Sequence, residues 1–437
     1  MKNNTQKTED LSDHMSPSMA MRNIGWTRLF LLSFFGIVLF HSSSCSPLYS
    51  TVPRQRQIEG GEISVFQYAR PETVGISSKS LNAIGGQIEE WVRTGKVVGA
   101  EWLVIKNRKI IIHEVVGWKD REENVPMTIN TIFRIRSMTK PFVGTSILML
   151  MEEGKLKLSD PVAKFLPSFS NEKSVGITIK HLLSHTGGFA QLGYRFLKSY
   201  NSLREAADSV GKMGPPYQPG TRFLYSGAGS AALGAVVAEV SGMPLEDFIQ
   251  TRILSPLGMT NTFCNLAGDD LRRRNVSGTY VKTLFGFKKY WDNSQPQVIK
   301  YFRAAGGMYS TPIDYAKFLL MWMDKGNFDS KQFLAPDSVR NALECEALSK
   351  KEYGKDKTFS KRCYGMMWCI ILERNNDELM AFGHSGSDGT IAWAVPKENT
   401  MVFYFTQSKQ GSTPGYFDEF MSLIKNCLMK PNRMVDH

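Results

Sequence analysis

The apolar pattern of this chain changes period along its length, and that change restricts what it can fold into. Residues 100–105 and 109–116 are short β-branched runs, and Asn107-Arg108 between them suits a tight hairpin turn. Further strand candidates lie at 366–372, 378–383, 390–395 and 400–406. Between these two groups, from Leu156 to about Tyr290, the pattern is mostly helical. Leu81, Ile84, Ile88 and Trp91 recur at helical steps and predict a helix within 71–95, and another is expected at 417–425. Residues 141–153 predict a strong helix with Phe142, Val143, Ile147, Leu148 and Met151 as its apolar stripe. Pro141 is tolerated near its start, where N–H groups have no intrahelical partner. The expected class is α+β: one antiparallel sheet made from both ends of the chain, flanked by helices and interrupted by a mostly helical insertion at about 156–290. A site would lie in the cleft between the two parts.

The first 45 residues read differently. Residues 29–40 (LFLLSFFGIVLF) are wholly apolar apart from Ser33, with Arg22 and Arg28 ahead of them. The run is short of the roughly 20 residues a spanning helix needs and has the length and flanks of a secretory signal. It ends in His41-Ser42-Ser43-Ser44-Cys45, and small residues directly before a cysteine look like a bacterial lipoprotein processing site. Cys45 would then be lipidated and attach the protein to a membrane, although Ser42 stands where an aliphatic residue is expected. An uncleaved anchor and plain cleavage near Ser44 are the alternatives, and all three place the body outside the cytoplasm, in a bacterial periplasm. Residues 46–70, with Pro53, Gly60 and Gly61, read as a tether, and residues 71–430 as the main domain.

A net charge of +12 raises the question of nucleic acid. The basic residues are scattered, with no aromatic-interleaved stripe, so a solvated basic surface is expected and no nucleic-acid partner. The sharper alternative is a weak pull toward anionic membrane or cell-wall polymer. Six cysteines (Cys45, Cys264, Cys345, Cys363, Cys369, Cys427) fit neither a zinc site nor a dense disulfide framework. Most are expected as small buried apolar residues; with Cys45 lipidated, an odd number is left, so at least one is a free or intermolecular thiol. No metal-binding set occurs among the seven histidines, no Gly-rich phosphate loop and no Gly-x-Ser-x-Gly elbow, so neither metal nor cofactor is expected.

Chemistry is suggested by Ser137-Met138-Thr139-Lys140, just ahead of the 141–153 helix. One helical turn separates Ser137 from Lys140 on one face. A serine hydroxyl needs a neighbour to take its proton, and an amine held neutral by burial or nearby positive charge can do so. The helix N-terminus supplies positive partial charge and N–H groups for an oxyanion. The spacing alone is weak evidence, since it recurs at Ser170 with Lys173, Ser209 with Lys212 and Ser422 with Lys425. A strand-like 131–135 before it and an apolar helix after it single out Ser137.

The segment Thr131-Ile132-Phe133-Arg134-Ile135-Arg136-Ser137-Met138-Thr139-Lys140-Pro141 resembles the nucleophile segment of the class C β-lactamase-like and penicillin-binding-protein-like serine hydrolases. Matching segments follow in the same order: Leu182-Leu183-Ser184-His185-Thr186-Gly187-Gly188, Pro219-Gly220-Thr221-Arg222-Phe223-Leu224-Tyr225-Ser226, Ala305-Gly306-Gly307-Met308 and Gly383-His384-Ser385-Gly386. The resemblance spans about 71–407 and implies a β-lactamase/transpeptidase-like fold and acyl-enzyme chemistry. It implies that Tyr225 acts as or shares the general base, and that the N–H groups of Ser137 and Ser387 form the oxyanion hole. His384-Ser385-Gly386 stands where the family has Lys-Thr-Gly on a strand lining the cleft, and His185 is read as structural. Tyr309, Tyr364 and Trp368 are cleft candidates for which packing is the plainer reading. Two departures matter. Gly227 replaces the usual asparagine of Tyr-x-Asn, which puts amide recognition in doubt, and His384 removes a permanent cation. The expectation is therefore an esterase or D-amino-acid peptidase rather than an efficient β-lactamase, acting on small molecules or peptides, with cell-wall derivatives as one source. A β-lactamase proper, and a penicillin-binding lipoprotein with little turnover, are the alternatives.

Overall fold

In the computed structural model of the protein, residues 51–57, 65–265, 269–295, 297–348, 361–373, 376–409 and 417–428 are described. The apolar leader and Cys45 lie outside them.

Asn107 and Arg108 both have positive φ, 53° and 60°, the geometry of a two-residue turn whose twist matches the strands it joins. The strands are β2 (Gly99–Lys106) and β3 (Lys109–Asp120), and β1 (Arg54–Arg56) pairs with β3 antiparallel. Residues 54–56 and 67–68, within the segment expected as a tether, thus join the sheet edge, and Arg54 and Arg56 ion-pair with buried Glu114. From the C-terminal half come β4 (Lys361–Tyr364), β5 (Cys369–Leu372), β6 (Leu379–Ser385), β7 (Ile391–Val395) and β8 (Thr400–Thr406). The order is β1-β3-β2-β8-β7-β6-β5-β4, with Ala347–Leu348 beyond β4. The join between halves is the full-length antiparallel pairing of β8 with β2, so the sheet does combine both ends of the chain.

Alternate side chains of the sheet feed two cores. Trp102, Val104, Ile112 and Tyr404 pack with α1 (Ser78–Arg93) and the C-terminal helix Phe417–Leu428, while Leu103, Ile105, Phe403 and Phe405 face the larger core. That larger core holds α2 (Lys140–Glu152), α3 (Gly227–Ser241) and α4 (Pro312–Met323). The stripe expected on α2 is only part of its buried surface: every residue from Lys140 to Leu150 is buried. Thr145 and Ser146 survive there by donating to the carbonyls of Pro141 and Phe142 (2.8 and 2.9 Å). The small residues of α3 let it lie close against α2.

Three features differ from expectation. The strand expected at 131–135 shrinks to Phe133–Arg134, paired with Tyr309–Ser310, because the chain must turn at once into the Ser137 segment. The insertion ends in a hairpin of Thr279–Thr283 and Gly286–Trp291 rather than in helix. Cys345 and Cys363 form a disulfide, correcting the expectation of plain apolar cysteines; Cys264, Cys369 and Cys427 are free.

Candidate active site

Ser137 sits on a single 3-10 turn, Arg136–Thr139, that runs directly into α2. The residue before it, Arg136, has φ 48°, a left-handed conformation that costs a non-glycine residue roughly 1–2 kcal/mol. It is held by the ion pair of Arg136 Nε with buried Asp388 (2.5 Å) and by Tyr290. The turn is also pinned from the segment 303–310: Ile135 N donates to Met308 O (3.1 Å) and Met308 N to Thr139 Oγ1 (3.2 Å). A Cβ on Gly307 would lie 2.8 Å from the Phe302 ring, so the Ala305-Gly306-Gly307 turn requires glycine there.

That turn presents the Ala305 carbonyl to Lys140. Lys140 Nζ lies 3.0 Å from Ala305 O, 3.3 Å from Ser137 Oγ and 4.6 Å from the centre of the Tyr225 ring. Lys140 is 2 % exposed and pairs with no carboxylate among the described residues. Burial, helped by the nearby Arg303 guanidinium, pushes its pKa down to about 7. The neutral amine can donate to Ala305 O while its lone pair accepts the Ser137 hydroxyl proton. This is the arrangement a serine nucleophile requires.

Tyr225 is delivered by the loop that precedes α3. Its successor Ser226 caps that helix, accepting from Ala228 N and donating to Ala190 O. His185, itself at φ 55°, accepts the N–H of Leu224 at its carbonyl (2.8 Å), and Gly220 N bonds Thr186 O. The His-Thr-Gly segment thus sets the path of the Tyr225 loop. The His185 ring is 4.6 Å from Tyr225 and 4.8 Å from Tyr364, and burial drives its pKa well down. Its Nε2 is buried without a hydrogen-bond partner among the described residues. The sequence marked His185 as structural; that its ring walls the site is new. Tyr364 is a site residue and Trp368 is core.

The strand β6 carries His384 and Ser385. His384 is buried; its Nδ1 faces Ser385 O (2.9 Å) and its Nε2 the Tyr364 hydroxyl (3.2 Å). With Nδ1–H donating to the carbonyl, Nε2 accepts from Tyr364, and the ring is neutral. Burial and the neighbouring Lys140 push its pKa down to about 3. Gly386 is required where it stands: a Cβ would lie 2.5 Å from Ile135 O and 2.3 Å from Thr390 Oγ1. That close approach sets the strand end beside the Ser137 turn. Ser387 follows as the exposed residue of an otherwise buried turn closed by Gly389 N to Gly386 O (3.0 Å), in the lining of a cavity that Arg136 also lines.

One residue was not legible in the sequence. Beside Gly227, which stands where the family has asparagine, lies the Gln191 amide: its Oε1 accepts the Gly227 N–H (3.0 Å), and a Cβ on Gly227 would sit 3.6 Å from its Nε2. Gln191 is 36 residues away in sequence, so no motif could announce it.

A family model described as Beta-lactamase matches residues 86–419. An uncharacterized protein of Mycobacterium tuberculosis is 31% identical over 372 residues, covering 75% of this chain and 90% of that one. Esterase EstB of Burkholderia gladioli is 32% identical over 211 residues, 43% of this chain and 53% of the esterase. Penicillin-binding protein 4* of Bacillus subtilis is 32% identical over 168 residues, 37% of this chain and 36% of that protein. Among solved structures, the penicillin-binding protein homologue from Pyrococcus abyssi superposes with a TM-score of 0.66 at 25% identity, covering 78% of this chain and 76% of that one. EstCE1, a hydrolase with promiscuous acyltransferase activity, gives 0.68 at 21% identity over 80% and 99%, a likeness of fold.

Proposed function

This chain belongs to the beta-lactamase family of serine hydrolases, and on that premise we propose that it works as an esterase-like hydrolase rather than as an efficient β-lactamase. Ser137 Oγ attacks the ester carbonyl as its proton passes to Lys140 Nζ. The new Oγ–C bond leaves an oxyanion facing the N–H groups of Ser137 and Ser387. Collapse breaks the C–O bond, and the alcohol leaves with the proton that Lys140 took up. Water then attacks the acyl-enzyme by the same route in reverse, releasing the acid and restoring Ser137. Tyr225, beside Lys140, shares the proton transfer.

The observation that carries the reading is His384. A β-lactam presents a carboxylate to the strand beside the serine, and a lysine there would meet it with a permanent charge. His384 is buried, spends both nitrogens on Ser385 and Tyr364, and stays neutral through the working pH range. A D-amino-acid peptidase is the second reading, supported by the Gln191 amide at the place of the missing asparagine. Intact-mass detection of acylation across p-nitrophenyl esters, D-Ala peptides and β-lactams separates these. Fast turnover of esters with stable or absent β-lactam adducts is expected, and Ser137→Ala should abolish both hydrolysis and fluorophosphonate labelling. Efficient β-lactam turnover would overturn the reading.

The protein is further proposed to be exported and held at a membrane by lipid on Cys45. The Cys345–Cys363 disulfide supports an oxidising compartment. Cys45→Ala should release the protein from the membrane fraction; unchanged attachment and processing would sink the lipid anchor.

A further inference from the structure

Beside the nucleophile turn lies a cavity of about 790 Å³, within the range of small-molecule sites. Its charge is lopsided. Arg134, Arg136, Arg273, Arg303 and Lys409 line it, and among the described lining residues Asp388 is the one carboxylate. Asp388 is already engaged by Arg136 and lies within reach of the Tyr290 hydroxyl. Among the described residues Arg134 and Arg303 have no carboxylate within ion-pair distance, and none supplies a hydrogen-bond partner to the buried Arg134 Nη1 and Arg303 Nε. Leaving such donors unmet is unfavourable, and more so for charged groups. Burial, with Arg136 and Arg134 nearby, even drives Arg303 down to about 10.

We propose that this cavity takes a negatively charged group of the substrate, a carboxylate or phosphate, gripped by Arg134 and Arg303 while the ester carbonyl lies at Ser137. A guanidinium offers a planar fork of donors that matches either oxyanion, and two of them with unmet N–H groups form a receptor. The position suits the chemistry. A Cβ on Gly306 would sit 3.2 Å from the Arg136 carbonyl carbon and 3.3 Å from Arg303 Nη2, which sets that guanidinium beside the peptide bond entering Ser137. Trp291, over which the Arg134 guanidinium stacks at 3.9 Å, and Tyr309 give the cavity apolar walls for the carbon chain that carries the charge. The anion site is thus set apart from His384, which is neutral and does not line it, and lies beyond the strand end where Ser387 and Asp388 join the lining.

The proposal rests on Ser137 being the nucleophile, and the experiment separates the two ideas. Hydrolysis of mono-4-nitrophenyl adipate is compared with that of 4-nitrophenyl hexanoate, which has the same chain length without the charge. The wild type should favour the adipate ester at least tenfold in kcat/KM, and Arg134→Gln should bring that ratio toward one. Free adipate and inorganic phosphate, tested as competitors of hexanoate ester hydrolysis by the wild type, tell whether carboxylate or phosphate fits better and need no variant to fold. Equal rates on the two esters with no competition by either anion would overturn the proposal. If neither ester is hydrolysed, the reading of Ser137 fails. The cavity is then judged by calorimetric titration of the wild type with adipate and phosphate, where binding supports it and its absence removes it.

Discussion

At the residue scale the site depends on how Lys140 loses its charge. Burial comes first and the Arg303 guanidinium second, and together they bring its pKa to about 7. The amine must be neutral to accept the Ser137 proton, so kcat/KM for a neutral ester should rise with pH through an apparent pKa near 7. Arg303→Gln removes one of the two causes and should move that limb to higher pH. An unmoved limb would mean that Lys140 is not the group titrating. Lys140→Arg keeps a cation that does not deprotonate at working pH and should lose at least a hundredfold in rate, given the size of general-base contributions. His384 and His185 act in the other direction on stability. Both are buried with pKa values below the ordinary 6.5, so the unfolded chain takes protons first as the pH falls. Stability should therefore drop as pH falls below about 6.5. The buried pair of Glu101 and His113 adds no slope between the two groups' ordinary values of 4.5 and 6.5. In the fold the proton sits on Glu101, whose pKa burial raises, and in the unfolded chain on His113, so each state holds one. Urea midpoints at pH 7.5 and pH 5 check this, and His384→Gln should flatten the difference.

Elements meet at the nucleophile through close approaches that only small residues permit. The end of β6 lies against the Ile135 carbonyl because position 386 is glycine. Gly386→Ala would push the strand from the Ser137 turn or force Thr390 aside, costing roughly 1–3 kcal/mol as overpacking does. A lowered thermal midpoint together with a fall in kcat is expected; a fall in neither would mean that the strand end does not set the oxyanion geometry. The same logic explains which elements were legible. The helix α2 was visible as an apolar run after Pro141, yet its stripe understated its burial, because periodicity reports one face and α2 is covered on all of them. The 131–135 strand was overextended because β-branched composition does not reveal where a turn must begin. Both strands of the first hairpin were found because the turn and the pattern on each side agree.

For the whole molecule, the Cys345–Cys363 link closes a loop across 18 residues, over which an intact disulfide stabilises by about 2–4 kcal/mol. Reduction should lower the thermal midpoint by several degrees, and Cys345→Ser with Cys363→Ser should make it insensitive to reductant. The sequence by itself determined the α+β class, the joining of both chain ends in one sheet, the family, and Ser137 and Lys140 with Tyr225 and His384 in order behind them. These are properties of local pattern and of motifs that carry their own context. Only the tertiary structure decided that Arg303 helps discharge Lys140, that the Gln191 amide lies against the Gly227 backbone, that the His185 ring walls the site, and that four arginines share a cavity with one carboxylate among the described residues. Each of these joins residues far apart in the chain, and their meaning comes from burial. A guanidinium is ordinary on a surface and becomes a receptor only where its donors are enclosed with nothing to bind.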